Sequence, residues 1–242
     1  MQDEFATGQL VCPLKQMLSK RESTEVRAPK KNIQTSPEKV LDAPEIRDDY
    51  YLNLLDWSSR GVLSIGLGER VYLYSPQNIS ELCVKNDDYV CSLSFHPTGD
   101  QLAVGLSSGK TEIYDAETNT LIRTLRGHTG RVSSSAFTYG MLFTGSKDTK
   151  ILGHDYRSSN SGNMKLLGHK GEVCGLKHDA CGLASGSNDN SALIWDLTSG
   201  KCRYQLQGHR AAVKALAWCP WQRNLLATGG GTSDQTMRFW NI

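Results

Sequence analysis

The sequence lacks any apolar run of about 18 residues, the length that crosses a membrane as a helix. It also lacks a secretory signal peptide, because residues 1–4 (MQDE) are acidic where a signal peptide carries positive charge. These two absences predict a soluble intracellular protein with no membrane partner.

A surplus of one charge is also missing, since 27 Lys and Arg residues are balanced by 25 Asp and Glu residues. The basic residues are scattered, and they form no stripe with aromatic residues of the kind that binds nucleic acid. We therefore expect no nucleic-acid partner.

The glycine run at residues 229–231 is not followed by the Gly-Lys-Ser/Thr of a phosphate-binding loop. We therefore interpret the run as a close backbone approach or a bulge.

The seven cysteines include no Cys-x-x-Cys pair, and buried free thiols on strands explain them best. One combination has the residue types of a zinc site, namely Cys174, His178 and Cys181. It straddles a predicted strand and its turn, and no fourth ligand is obvious. We therefore expect no metal and no cofactor.

What the sequence does contain is an internal repeat of about 40–45 residues. A Gly-His pair begins at Gly127, Gly168 and Gly208, which are 41 and 40 residues apart. The repeats close on an aromatic residue or His followed by Asp or Asn, at residues 114–115, 154–155, 195–196 and 240–241. An earlier, degenerate repeat closes at residues 74–75. The period predicts one four-stranded propeller blade per repeat, and therefore an all-β propeller with five repeats.

The clearest repeat, residues 168–196, contains a candidate hydrogen-bond relay. Its members are His169, Ser187, Asp189 and Trp195, with Ser185 as the alternative hydroxyl. In such a relay the Asp fixes the tautomer of the His, and the indole N–H finds an acceptor. The predicted role is structural, because the relay pins the loop of one blade to its neighbour.

The same residue types also form the catalytic triad of serine hydrolases. They recur in register in the neighbouring repeats, as His128, Ser146 and Asp148 and as His209, Thr228 and Asp234. An enzyme needs one nucleophile rather than one in each repeat. We therefore predict that the protein is not an enzyme.

Residues 1–40 have no sustained hydrophobic period and are rich in polar residues, so they are predicted to form a disordered tail. Four apolar residues in this tail either form a short docking motif or are incidental: Val11, Leu14, Met17 and Leu18. Ser36, which precedes a proline, is a candidate phosphorylation site. The strand pattern begins after the tail, and residues 41–242 are assigned to the propeller.

Three stretches resemble the Fizzy and Fizzy-related family: residues 40–57 (with LDAP and DDYYLNLLDW), residues 172–176 (EVCGL) and residues 215–234 (with CPWQ and TGGGTSD). CPWQ and TGGGTSD are more specific than the Gly-His and Trp-Asp pairs, which any WD40 protein could show. His154 also resembles this family, whose third blade tends to carry His at the closing position. The resemblance implies a seven-bladed WD40 propeller that acts as a coactivator of the anaphase-promoting complex, a ubiquitin ligase of mitosis and cell division.

The resemblance also implies which residues bind substrates. Leu41 and Asp42 match destruction-box positions, where the carboxylate would meet an Arg of the substrate. Asp49, Asn188 and Thr232 match positions on the top face that bind the KEN box. By residue chemistry alone, Asp42 could simply begin a turn, and Asn188 suits a hairpin turn.

The implied partners are subunits of the anaphase-promoting complex, substrate proteins that carry these degrons, and spindle-checkpoint proteins. The implied location is the nucleus and the cytoplasm.

The sequence also departs from the family. It has about five of the seven blades, its tail contains no C-box (Asp-Arg-aromatic-Ile-Pro), and its last residues are not Ile-Arg. We expect a fragment or a truncated product, with a destruction-box groove that lacks one wall. Two functions therefore remain in competition, a ligase coactivator and a non-catalytic WD40 scaffold or decoy that does not activate the ligase.

Overall fold

The computed structural model describes residues 35–37, 39–84, 87–138, 140–157 and 164–242. The chain divides into two compact units, Met1–Asp42 and Ala43–Ile242. Most of the tail that is predicted to be disordered, and all of its candidate docking motif at residues 11–18, lie outside the described residues. Ser36 is described and exposed. No helix of the described part is both long enough and apolar enough to cross a membrane.

In the described part of the second unit, short apolar runs between turns form nineteen β-strands in five sheets. The first sheet contains β1 (Leu55–Trp57), β2 (Leu63–Leu67), β3 (Arg70–Tyr74) and β4 (Ile79–Val84). The second contains β5 (Val90–Phe95), β6 (Gln101–Leu106), β7 (Thr111–Asp115) and β8 (Thr120–Leu125). The third contains β9 (Val132–Phe137), β10 (Leu142–Ser146), β11 (Ile151–His154) and β12 (Met164–Leu166). The fourth contains β13 (Val173–Asp179), β14 (Gly182–Ser187), β15 (Ala192–Asp196) and β16 (Lys201–Leu206), and the fifth contains β17 (Val213–Trp218), β18 (Leu225–Gly230) and β19 (Met237–Asn241).

Within each sheet, strands that follow one another in the sequence pair antiparallel. The first strands of successive sheets contact one another in the order β1, β5, β9, β13 and β17. This is the arrangement of propeller blades around a common centre. The all-β WD40 fold that the repeat predicts is confirmed, with five blades in the described part of the chain.

The hydrophobic core lies between neighbouring blades. Phe143 and Ile151 of the third blade, for example, share one buried cluster with Leu183 and Trp195 of the fourth. Burial of such a side chain stabilises the folded state by about 1.5–3 kcal/mol. The stability of each blade therefore depends on the blade beside it.

The first and fifth blades each leave one apolar face exposed. On β1, Leu55 and Trp57 are 56% and 63% exposed, and on β19, Met237 and Phe239 are 70% and 67% exposed. The large apolar residues of β10 and β14, in contrast, are completely buried.

Candidate functional site

The relay of the fourth blade runs through Ser185. The indole N–H of Trp195 donates to Ser185 Oγ at 2.8 Å, and His169 Nε2 lies 2.7 Å from the same oxygen. Because a carboxylate only accepts, Nδ1–H of His169 donates to Asp189 at 3.0 Å, and in this tautomer Nε2 accepts from the Ser185 hydroxyl. Ser187, the hydroxyl predicted for this position, instead accepts from the backbone N–H of Asp189 at 3.2 Å. The prediction of Ser187 is therefore wrong.

The other two relays follow the same geometry. In the fifth blade His209 contacts Asp234, and Thr228 Oγ1 lies 2.6 Å from His209 Nε2 and accepts from the Trp240 indole at 2.8 Å.

In the third blade His128 contacts Asp148 at 3.0 Å and Thr144 Oγ1 at 2.9 Å. Thr144 thus takes the place predicted for Ser146, whose hydroxyl donates to the Gly130 carbonyl. His154, at the closing position, lies 3.5 Å from Thr144 Oγ1 where the fourth and fifth blades have an indole.

The Asp of each relay also holds the loop that follows the Gly-His pair. Asp189 accepts from the backbone N–H of Lys170 at 2.8 Å, and Asp148 accepts from Thr129 at 3.1 Å. Burial by itself raises the pKa of Asp189, but hydrogen bonds from His169, Ser191 and the Lys170 backbone outweigh it and hold this pKa well below its usual range. The relays therefore fix the top-face loops in place.

The segment of residues 49–53, called the strap below, lies across the inner strands of four blades. Asn53 forms a parallel bridge to Ser92 on β5, and its side-chain amide donates to the carbonyls of Ser133 at 2.6 Å and Cys174 at 2.9 Å. In the fifth blade, Lys214 Nζ donates to the Leu52 carbonyl at 2.7 Å. The strap is thus hydrogen-bonded to the second, third, fourth and fifth blades.

Two further contacts of the strap position its acidic end. Arg131 donates from Nη1 to Asp49 at 2.6 Å and binds Glu172 through two nitrogens at 2.7 and 2.9 Å. Burial raises the pKa of Asp49, but hydrogen bonds from the Tyr51 backbone and from Arg131 outweigh this effect and lower it below its usual range. The Asp49 side chain remains 32% exposed, so its carboxylate is both ionised and accessible to a ligand.

Tyr51 links Asp49 to Asn188. The backbone N–H of Tyr51 donates to Asp49 at 2.9 Å, and its hydroxyl donates to Asn188 Oδ1 at 2.8 Å. Asn188 and Thr232 line one cavity of about 330 Å³, together with Tyr51. Two of the three predicted KEN-box residues therefore line this cavity, and the third, Asp49, is joined to it through Tyr51.

Leu41 and Asp42, the residues predicted to bind the destruction box, belong to the first unit. Asp42 is exposed and Leu41 is partly buried. Their role stays a prediction.

Sequence reasoning did not identify several residues that build the site, notably Tyr51, Arg131 and Glu172. Tyr51 lies in the DDYYLNLLDW run, which carries part of the family resemblance. The partners of these residues are distant in sequence, since Tyr51 meets Asn188 across 137 positions and Arg131 meets Asp49 across 82. No local pattern signals such contacts.

The two thiols of the Cys174, His178 and Cys181 combination, for which we expect no metal, form separate hydrogen bonds. Cys174 Sγ donates to the Val213 carbonyl, and Cys181 Sγ accepts from the Asn224 backbone. Burial raises the pKa of Cys174 to about 12, which disfavours the thiolate that binds a metal. Among the described residues, no group of three or more His, Cys, Asp or Glu side chains could hold a metal ion.

The profile of the CDC20/Fizzy WD40 domain matches residues 41–242. The chain is 49% identical over 220 residues to "Anaphase-promoting complex subunit cdc20" of Dictyostelium discoideum, which covers 87% of this chain and 44% of that protein. It is 46% identical over 217 residues to "WD repeat-containing protein slp1" of Schizosaccharomyces pombe, with 88% and 44% covered. It is also 46% identical over 224 residues to "Protein FIZZY-RELATED 2" of Arabidopsis thaliana, with 90% and 46% covered.

A solved structure, "Crystal Structure of Mitotic Checkpoint Complex", contains a chain of the same fold. The two superpose with a TM-score of 0.83 at 46% identity, and the match covers 90% of this chain and 70% of that one. The chain thus spans less than half the length of the curated relatives described above.

Proposed function

Because the chain belongs to the CDC20/Fizzy family of WD40 proteins, we propose that it is a substrate-recognition coactivator of the anaphase-promoting complex. It binds KEN-box and destruction-box degrons of proteins that are marked for degradation in the cell cycle. The observation that carries the proposal is the cavity lined by Asn188 and Thr232 beside the strap.

The geometry of this cavity suits a short polar peptide. Asn188 is held by the Tyr51 hydroxyl, and Asp49 is held by Arg131, so both side chains are oriented before a ligand arrives. Polar groups fixed in advance lose little conformational freedom on binding. An ionised Asp49 suits the Lys of a KEN box, and the Asn188 amide and Thr232 hydroxyl suit its amide and carboxylate side chains.

The destruction-box part of the proposal rests on the match of Leu41 and Asp42 to family positions. An exposed carboxylate at Asp42 is compatible with the guanidinium of a substrate Arg.

We propose no catalytic role for the relays, since Ser185 is fully buried within its relay and the relay recurs in three blades.

The names of the relatives support the choice of partners. One relative is named a subunit of the anaphase-promoting complex, and the solved structure is of a mitotic checkpoint complex. For this chain we propose ligase subunits, degron-bearing substrates and spindle-checkpoint proteins as partners, in the nucleus and the cytoplasm.

Binding of a fluorescent peptide that contains a KEN box tests the KEN-box part of the proposal. We expect saturable fluorescence anisotropy with the whole chain, and a loss of about 1 kcal/mol or more of binding free energy in Asn188→Ala because a hydrogen-bonding partner is removed. Asn78→Ala is the matched control, since Asn78 is exposed in the β3–β4 turn, whereas Asn188 lies in the β14–β15 turn at the other end of its blade. Equal weakening in both variants, or no saturable binding, would contradict the proposal.

Capture of purified ligase subunits on the immobilised chain separates a coactivator from a scaffold or decoy. A coactivator retains ligase subunits and degron peptide together. A chain that binds the peptide but no ligase subunit is a decoy, and the coactivator proposal then fails.

A further inference from the structure

The cavity beside the strap contains a cationic side chain that the KEN-box positions do not include. Arg210 follows the Gly-His pair of the fifth blade, as Thr129 and Lys170 do in the third and fourth blades. Its backbone N–H is bound by Asp234, in the way that Asp189 binds the N–H of Lys170. The relay therefore holds the backbone of Arg210 at the rim of the cavity.

The charge of Arg210 is not balanced within the cavity. Among the described residues that line it, Arg210 carries the only formal charge, and the others provide hydroxyls, amides and backbone. The Asp234 carboxylate already accepts hydrogen bonds from His209, the Thr236 hydroxyl and the Arg210 backbone. The Asp234 side chain is only 2% exposed. No ion pair joins the Arg210 guanidinium to another residue of the described chain.

The neighbouring Asn188 offers a second set of donors. Its Oδ1 accepts from the Tyr51 hydroxyl, which leaves the two N–H groups of its amide for a ligand. A guanidinium and an amide N–H on one cavity wall are complementary to a carboxylate, because both only donate and a carboxylate only accepts.

We propose that Arg210 reads the acidic residue of a bound peptide and that it is a specificity-determining residue of this site. The guanidinium of Arg210 pairs with the carboxylate of a Glu in the peptide, while Asp49, at the other end of the Tyr51 link, is available to a basic residue. The inference rests on the proposed function, since it names the side chain that recognises the middle residue of a Lys-Glu-Asn motif.

A double-mutant cycle between chain and peptide tests this pairing. Two labelled peptides, one with Lys-Glu-Asn and one with Lys-Gln-Asn, are titrated against the whole chain, Arg210→Gln and Lys170→Gln. We expect the wild-type chain to bind the Glu peptide roughly threefold to tenfold more tightly than the Gln peptide, as for a partly exposed charge pair. Arg210→Gln should bind both peptides with the same Kd.

Lys170→Gln is the matched control, because it removes the same charge from the equivalent position of the preceding blade. Lys170 is exposed but does not line the cavity, so this variant should keep the wild-type preference for Glu. The thermal unfolding midpoint of each variant shows whether the chain remains folded.

The possible failures are distinguishable. If the wild-type chain binds the Lys-Glu-Asn peptide no better than a scrambled one, the KEN-box part of the proposed function fails together with this inference. If the wild-type chain binds it but Arg210→Gln still prefers Glu as strongly, only the assignment of Arg210 is wrong. Loss of the preference in Lys170→Gln as well would show a general charge effect and would also overturn the assignment.

Discussion

At the residue scale, the register of two strands decides which hydroxyl completes a relay. Ser185 and Ser187 point to the same side of β14, because side chains alternate along a strand. Trp195 on β15 lies opposite Leu183, which is two residues from Ser185 and four from Ser187. Four residues of strand extend about 13 Å, which is beyond the reach of an indole N–H. Position along the strand, and not residue type, therefore selects Ser185.

The Asp of this relay leads to a prediction about pH. Because the pKa of Asp189 is lowered in the folded chain, its contribution to stability is present above the unfolded-state pKa of about 3.9 and is lost as the pH falls below that value. We expect Asp189→Asn to lower the free energy of unfolding by about 2 kcal/mol at pH 7, since the new amide N–H groups face donors. Below pH 4 the difference in the free energy of unfolding between Asp189→Asn and wild type should shrink by up to about 1.4 kcal/mol per pH unit.

Urea unfolding at pH 7, 4 and 3 measures this difference. Asp48→Asn, at an exposed carboxylate, is the control for loss of one negative charge and should stay close to wild type at pH 7. A difference for Asp189→Asn that is independent of pH would show that Asp189 is not the group that titrates.

At the element scale, the strap connects blades that are far apart in sequence. Asn53 alone joins β5, β9 and β13, and Leu52 accepts from Lys214 on β17. The two backbone carbonyls that accept from the Asn53 side chain belong to buried residues, Ser133 and Cys174. Removal of the Asn53 amide would therefore leave two acceptors without that donor.

We predict that Asn53→Ala lowers the free energy of unfolding by about 1–3 kcal/mol, the cost of leaving buried acceptors without a partner. Hydrogen exchange measured by mass spectrometry should show faster exchange in the strap and in β5, where the Leu93 N–H donates to the Asn53 carbonyl. KEN-box peptide binding should weaken too, because the strap positions Asp49 and Tyr51. Unchanged exchange in the strap would mean that its other contacts are sufficient to hold it.

At the scale of the whole molecule, every interior blade is stabilised from two sides and each terminal blade from one. Buried clusters join the first blade to the second, the second to the third, the third to the fourth, and the fourth to the fifth. The outward face of the fifth blade instead exposes Met237 and Phe239 to solvent. Exposed apolar sheet faces of this kind favour association with other chains.

We predict that the double substitution of Met237→Lys and Phe239→Lys reduces self-association. Light scattering at raised protein concentration should fall relative to wild type, because the apolar face becomes charged. The unfolding midpoint should change little, since the two side chains bury little surface. The control is Leu183→Lys, which places a charge in the buried cluster and should unfold the chain. Equal light scattering by the double variant and wild type would show that this face does not drive association.

The sequence by itself determined the architecture. Closing positions at a period of about 40–45 residues, with Gly-His pairs in three of the repeats, specify how many blades form, because a blade is a local unit of consecutive antiparallel strands. The same local signals identified His169, Asp189 and Trp195, since their spacing within one repeat carries the information. The resemblance of the CPWQ and TGGGTSD runs was sufficient to name the family.

Only the tertiary structure decided the candidate site. Strand register chose Ser185, and the path of the strap brought Tyr51 to Asn188 and Asp49 to Arg131. The contacts of Tyr51 and Asp49 join the strap to the fourth and third blades, and they depend on how the repeats stack around their common centre. A repeat pattern describes each blade separately, so it does not predict which side chains meet where two blades and the strap come together.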